Sequence, residues 1–162
     1  MAAVEGLLFV GKLLAVLGCG LIAGVFFAFS TFVMSALSRL QPTQGIAAMQ
    51  SINITVINPL FMLAFLGTAV ICLVLLVFSL FWRQQPGTIS LITGSLLYLI
   101  GTFGVTLGLN VPLNEALAKV EPSSTDGASL WAKYLTDWTF WNHVRTIAAI
   151  AATTFFTLAV SR

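Results

Sequence analysis

Trp138-Thr-Phe-Trp-Asn-His-Val-Arg145, followed by the uncharged run from Thr146 to Ser161, decides how this chain folds. The run is long and apolar enough to cross a bilayer as a helix, and the chain enters it through tryptophans, an amide, an imidazole and a guanidinium. At 100° per residue, Trp138, Trp141, Asn142 and Arg145 share one helical face, and His143 points away from it. With Trp141 at the headgroup boundary, Arg145 lies about 6 Å deeper, one turn inside the apolar layer. A central arginine in a membrane helix costs roughly 2.5–3.5 kcal/mol on insertion scales, so it is expected to face protein and to have a partner.

The rest of the chain agrees with a membrane setting. Of 162 residues, 59% are hydrophobic and 7% charged, whereas soluble domains carry about a quarter charged residues. Three further stretches lack any charge: Leu13 to Ser38, Leu40 to Trp82, and Gln84 to Asn114. Each can hold a span of the ~20 residues that cross the hydrocarbon layer. The fold expected is therefore an all-α membrane protein, one domain over residues 1–162 forming a four-transmembrane-helix bundle. The spans are placed at about 7–37, 60–82, 88–109 and 138–160, and the first reads as a signal anchor rather than a removable leader.

Between the first two spans, Met49, Gln50, Asn53 and Ile57 recur at helical spacing, which predicts a short interfacial helix at about 43–57. Pro59 suits the first turn of the second span, and Arg83 to Gly87 reads as a tight turn. In the third span Gly94, Gly101 and Gly108 follow a seven-residue period, with Gly104 besides, a smooth seam expected to dock on the glycine face of the first (Gly11, Gly18, Gly20 and Gly24). Pro112 is expected to end that span at Asn110, with a short helix resuming over Leu113 to Val120. Glu121 to Ala128 reads as flexible, and Thr136 or Asp137 as the N-cap of the fourth span.

Four spans put the end of the first, the start of the second, the end of the third and the start of the fourth on one membrane side. All five asparagines fall there, with Gln50, His143, Arg39, Arg145 and three of the four tryptophans. For Asn53 and Asn58 the simplest role is to satisfy helix ends. Asn110, Asn114, Asn142 and Arg145 are candidates to line a pocket, roofed by the interfacial helix with Gln50 and Asn53 and floored by the phenylalanines of the first span, including Phe29. The acidic partner of Arg145 could be Glu115, Glu121 or Asp137; Glu115, next to Asn114, is preferred. His143, the one imidazole in the chain, is a candidate base. One histidine and two mid-span cysteines cannot make a closed zinc site, and no second-ligand motif accompanies His143 as a haem ligand. The scattered net charge of +2 offers no stripe for nucleic acid.

Four segments carry a resemblance: Gly24-Val-Phe-Phe-Ala-Phe-Ser-Thr-Phe-Val-Met34, Ala48-Met-Gln-Ser-Ile-Asn53, Asn110-Val-Pro-Leu-Asn114 and Trp141-Asn-His-Val-Arg145. Together they resemble the anthrone oxygenase family of small four-helix membrane proteins. That resemblance implies oxidation of a flat aromatic anthrone-type substrate by molecular oxygen, without metal or flavin and with no cofactor. The chemistry needs a base, donors for an anion and a dry cavity. His143, or a carboxylate such as Glu115, would take the benzylic proton. Asn110, Asn114, Asn142 and Arg145 would hold the developing oxyanion, with Gln50, Asn53, Trp141 and Phe29 around the substrate. The partners expected are the substrate, oxygen and the lipid of the cell membrane, with a homo-oligomer left open. The rival is a non-catalytic membrane module binding a lipid, quinone, haem or partner protein in the same pocket. Lys12, Arg83 and Arg162 on one side against Arg39, Lys119, Lys133 and Arg145 on the other leave the orientation undecided.

Overall fold

A computed structural model describes residues 2–81 and 86–161, almost all of them helical. Helix α1 is continuous through three runs, Ala2–Ala28, a π-helical turn at Phe29–Val33, and Met34–Leu37. The interfacial helix α2 spans Pro42–Thr55 and α3 spans Pro59–Phe81. Helix α4 covers Thr88–Ala118 and includes two π-helical runs, Leu97–Gly104 and Thr106–Asn110. Helix α5 runs over Thr125–Val160. α1, α3, α4 and α5 are each long and apolar enough to cross a membrane, so the four-span bundle with an interfacial helix holds.

α5 packs along both α1 and α4, and α3 closes the ring by packing on the same two. The outer faces are apolar: Leu60, Leu63, Phe81 and Ile89 are all more than 70% exposed, as lipid-facing side chains should be. Inside, one core runs down the bundle through Ile22, Phe26, Phe65, Tyr98 and Phe156. A second core lies at the polar end, where α2 lays Ile46 and Met49 against Met34, Leu117, Trp131 and Tyr134.

Three sequence expectations change. The third span does not stop at Asn110. It continues to Ala118 with Pro112 in the first turn of its last α-helical run, Val111–Ala118. A proline ring clashes with the carbonyl four residues back, and the wide turn at Thr106–Asn110 moves that carbonyl aside. The fourth span starts not near Trp138 but at Thr125, where the Ser124 hydroxyl accepts the Gly127 N–H at 2.9 Å as a true N-cap. Thr136 and Asp137 are interior to it.

The glycine seam of α4 docks on α5 rather than on α1. A Cβ at Gly101 would sit 2.6 Å from the Ala148 Cβ, and one at Gly94 would sit 3.3 Å from the Ala152 carbonyl oxygen. α1 and α4 are diagonal in the ring, and the alanines of α5 supply the small surface instead. On α1, Gly18 meets Thr68 of α3 so closely that any Cβ would overlap it. Arg83, Gln84 and Gln85 of the expected turn lie outside the described residues. Its last residue, Gly87, has φ +81° and packs on Ala159.

Candidate functional site

Helix α5 buries one stripe along its whole length: Trp131, Tyr134, Trp138, Asn142, Arg145, Ala149, Ala152, Phe156 and Ala159. The spacings are all three or four residues, the pattern of a helix facing a bundle core. In the middle of this stripe, where apolar residues would be expected, stand Asn142 and Arg145. Arg145 is 4% exposed and Asn142 fully buried.

Among the described residues, no carboxylate holds the guanidinium of Arg145. Nη2 donates to Asn142 Oδ1 at 2.6 Å and Nη1 to Thr106 Oγ1 at 3.3 Å. It lies over two rings, with the Phe26 centroid at 4.1 Å and the Trp138 centroid at 5.0 Å. Such contacts are worth about 2 kcal/mol or more when desolvated. Neutral ligands and aromatic faces orient the cation but do not cancel its charge. The expected partner Glu115 is exposed, and among the described residues no acidic side chain pairs with Arg145.

Asn142 is fixed on its other side by α1. Its Nδ2 donates to the Phe26 carbonyl at 2.8 Å and to Ser30 Oγ at 2.7 Å. Since a carbonyl can only accept, the amide orientation follows, and Oδ1 is left for Arg145. Ser30 and Thr146 hydroxyls lie 3.0 Å apart, and Thr146 Oγ1 donates to the Asn142 carbonyl. On the α4 side, Thr106 Oγ1 donates to the Thr102 carbonyl, and Thr102 Oγ1 to the Arg145 carbonyl at 3.4 Å. Ser30 lies in the π turn of α1, and Thr102, Thr106 and Asn110 lie in the π runs of α4. The irregular turns of both helices thus flank Asn142 and Arg145; π-bulges concentrate at functional sites.

Asn110 is 1% exposed and its Nδ2 donates to the Trp138 carbonyl at 3.1 Å. Asn110 Oδ1 and Arg145 Nε are buried without a hydrogen-bond partner. Asn114 Oδ1 accepts both the Tyr134 hydroxyl at 2.7 Å and Trp138 Nε1 at 2.8 Å, so this residue positions the aromatic column rather than the cation. That column is stacked: Trp131 on Tyr134 at 5.6 Å, Tyr134 on Trp138 at 5.9 Å. Below the cation, Phe26, Phe61, Phe65 and Phe103 form an aromatic floor contributed by α1, α3 and α4.

The remaining sequence candidates take other positions. Gln50 Nε2 donates to the Leu117 and Val120 carbonyls at 2.8 and 3.1 Å, tying α2 to the end of α4. Asn53 approaches the Tyr134 hydroxyl. Asn58 caps α3 by accepting the Phe61 N–H at 3.0 Å. Phe29 packs on Trp138 at 5.7 Å, and Trp141 is half-buried against Phe140. His143 is exposed on the outer face beside Phe140 and Ile147, and neither it nor Glu115 touches the Arg145 network.

Thr102 and Thr106 were not among the sequence candidates. Their signal was present: Thr102, Thr106, Asn110 and Asn114 recur every four residues, a period that drifts on an α-helix and holds its face only on one with wider turns.

Comparison with known proteins places these features in a family. The anthrone oxygenase family model matches residues 61–155, which hold nearly all of α3, all of α4 and most of α5. Asn110, Thr106, Asn142 and Arg145 fall inside that segment, while Phe26, Ser30 and the interfacial helix precede it. No curated protein and no solved structure matches the chain. The match covers more than half of the residues and includes the whole α4–α5 half of the buried cation site, so this chain belongs to the anthrone oxygenase family.

Proposed function

We propose that the protein is a cofactor-independent oxygenase of the cell membrane that oxidises a flat, anthrone-type substrate with molecular oxygen, using Arg145 to stabilise the substrate's anion. The observation that carries this reading is the guanidinium itself: buried, oriented by an amide and a hydroxyl, and paired with no carboxylate among the described residues. Burying a charge costs several kcal/mol, and a positive centre left uncompensated is poised for an incoming anion.

The chemistry follows from that charge. An aromatic ketone with a methylene opposite the carbonyl in the same ring loses a benzylic proton to give a carbanion whose charge spreads through the fused rings onto the carbonyl oxygen. Arg145 holds that oxygen, which lowers the cost of ionisation. The electron-rich anion reduces oxygen and captures it at the benzylic carbon as a peroxide. Loss of water then leaves a second carbonyl, so one oxygen atom enters the product and the other leaves as water. Phe26, Phe29, Phe61 and Trp138 offer faces to a planar ring system. The bilayer concentrates both apolar reactants. Because His143 and Glu115 lie outside the network, deprotonation is assigned to anion stabilisation, and the released proton leaves to water at the interface.

The test is oxygen uptake by purified protein in detergent on addition of anthrone, with the quinone product followed by absorbance. Uptake that falls at least about 100-fold in Arg145→Met supports the proposal, in line with loss of one oxyanion donor. Uptake unchanged by Arg145→Met overturns the role of the cation. Ligand binding without uptake by the wild type would instead make the protein an anion-binding membrane module.

A further inference from the structure

Resting on the reading of Arg145 as the anion-holding group, we infer that Asn110 is a specificity-determining residue that accepts a hydrogen bond from a substrate hydroxyl lying beside the substrate carbonyl. Two buried polar atoms here lack partners, and they are of opposite kind: Arg145 Nε is a donor without an acceptor, and Asn110 Oδ1 is an acceptor without a donor. Buried polar groups are nearly always paired, so each orphan calls for an explanation.

Both side chains border Trp138, Asn110 on its backbone carbonyl at 3.1 Å and Arg145 over its ring at 5.0 Å. Arg145 also reaches Thr106, one turn before Asn110 on the same face of α4. The side-chain orientation of Asn110 is not free, because Nδ2 must face the Trp138 carbonyl, which only accepts; Oδ1 is therefore the atom left over.

A ligand that completes this pair presents an acceptor and a donor on one edge of a body that fits among aromatic rings. An aromatic ketone with a neighbouring phenolic hydroxyl meets the requirement. Its carbonyl, or the oxyanion derived from it, takes the Nε–H, and its hydroxyl proton is shared with Asn110 Oδ1. An unsubstituted ketone satisfies the cation and leaves Asn110 orphaned. Sites built to hydrogen-bond a substrate hydroxyl discriminate strongly against analogues that lack it, because the buried protein group then stays unpaired.

The experiment uses two stable, non-oxidisable ligands, 1-hydroxyanthraquinone and anthraquinone, titrated into the full-length protein in detergent while tryptophan fluorescence is followed. The wild type is expected to bind the hydroxylated compound at least five-fold more tightly. Asn110→Leu is expected to bring the two affinities within two-fold of each other. Asn110→Ala carries the same expectation and serves if the leucine variant does not fold. Equal wild-type affinities, or a preference that survives in a folded Asn110 variant, overturn the inference. Since binding is read without turnover, a discrimination that depends on Asn110 stands even if no oxygen uptake is found. Uptake without discrimination removes the role of Asn110 and leaves that of Arg145 intact.

Discussion

Arg145 and Asn142 are a turn apart and hydrogen-bonded, yet their removal should have opposite signatures. Arg145→Met keeps an unbranched apolar stem between Phe26 and Trp138 and takes away the desolvated charge. It leaves Asn142 Oδ1 without its donor, at about 1–3 kcal/mol, against several kcal/mol of relieved charge burial. Its unfolding midpoint in detergent is therefore expected to stay near that of the wild type, while oxygen uptake falls. Asn142→Leu strands the cation and removes both bonds to α1, so it is expected to lose about 3–5 kcal/mol of stability. A destabilisation by Arg145→Met as large as that by Asn142→Leu would mean that the charge serves the fold. His143, by contrast, is exposed and outside the network, so His143→Ala is expected to keep uptake within about two-fold across neutral pH. A loss of 100-fold would restore it as the base.

Among the elements, the close approach of α4 to α5 is the most exacting contact. Gly101→Ala places a methyl 2.6 Å from the Ala148 Cβ and is expected to cost about 1–3 kcal/mol, whereas Gly108→Ala, with nothing within 4 Å, is expected to be neutral or slightly stabilising. Thermal unfolding of the two variants side by side checks this, and equal effects would contradict the docking. The seven-residue spacing of these glycines was legible in the sequence as a packing seam, but its partner was not. Which neighbour receives a smooth face depends on the order of helices around the ring, and nothing local encodes that order. The start of α5 was misread for a related reason. Pro122 to Gly127 has loop composition, yet the same short polar residues supply the Ser124 cap, and the buried stripe continues unbroken from Trp131 to Ala159. Following the stripe backwards from Arg145 would have found it.

At the scale of the whole molecule, 36 residues of α5 measure about 54 Å, well beyond the ~30 Å hydrocarbon layer. The excess is the Thr125-to-Asp137 portion, which joins α2 and the ends of α1 and α4 in the second core. A membrane-impermeant maleimide is expected to label Ser129→Cys and not Thr154→Cys, although both positions are exposed on the protein surface, with the buried Cys19 and Cys72 unreactive in the folded state. Labelling of both would place the fourth span elsewhere in the bilayer. The one-sided gathering of amides, tryptophans and Arg145 could be read from span parity alone. The absence of an acid beside Arg145 could not, since Glu115 and Asn114 are neighbours in sequence and α4 turns one inward and the other out.

The π-helical runs of α1 and α4 have a further consequence, one of phase. Each holds surplus chain within a helix that otherwise advances 100° per residue, so the angular setting of everything beyond it depends on that surplus. Were Leu97–Gly104 wound as ordinary α-helix with every residue kept, its surplus residue would join the regular advance of 100° per residue. The far half of α4 would then swing by about 100°, carrying Thr106 and Asn110 away from the cation while the Gly94 contact stayed in register. The result would be a bundle that still inserts and still closes at one leaflet, with its chemistry dialled out of alignment at the other.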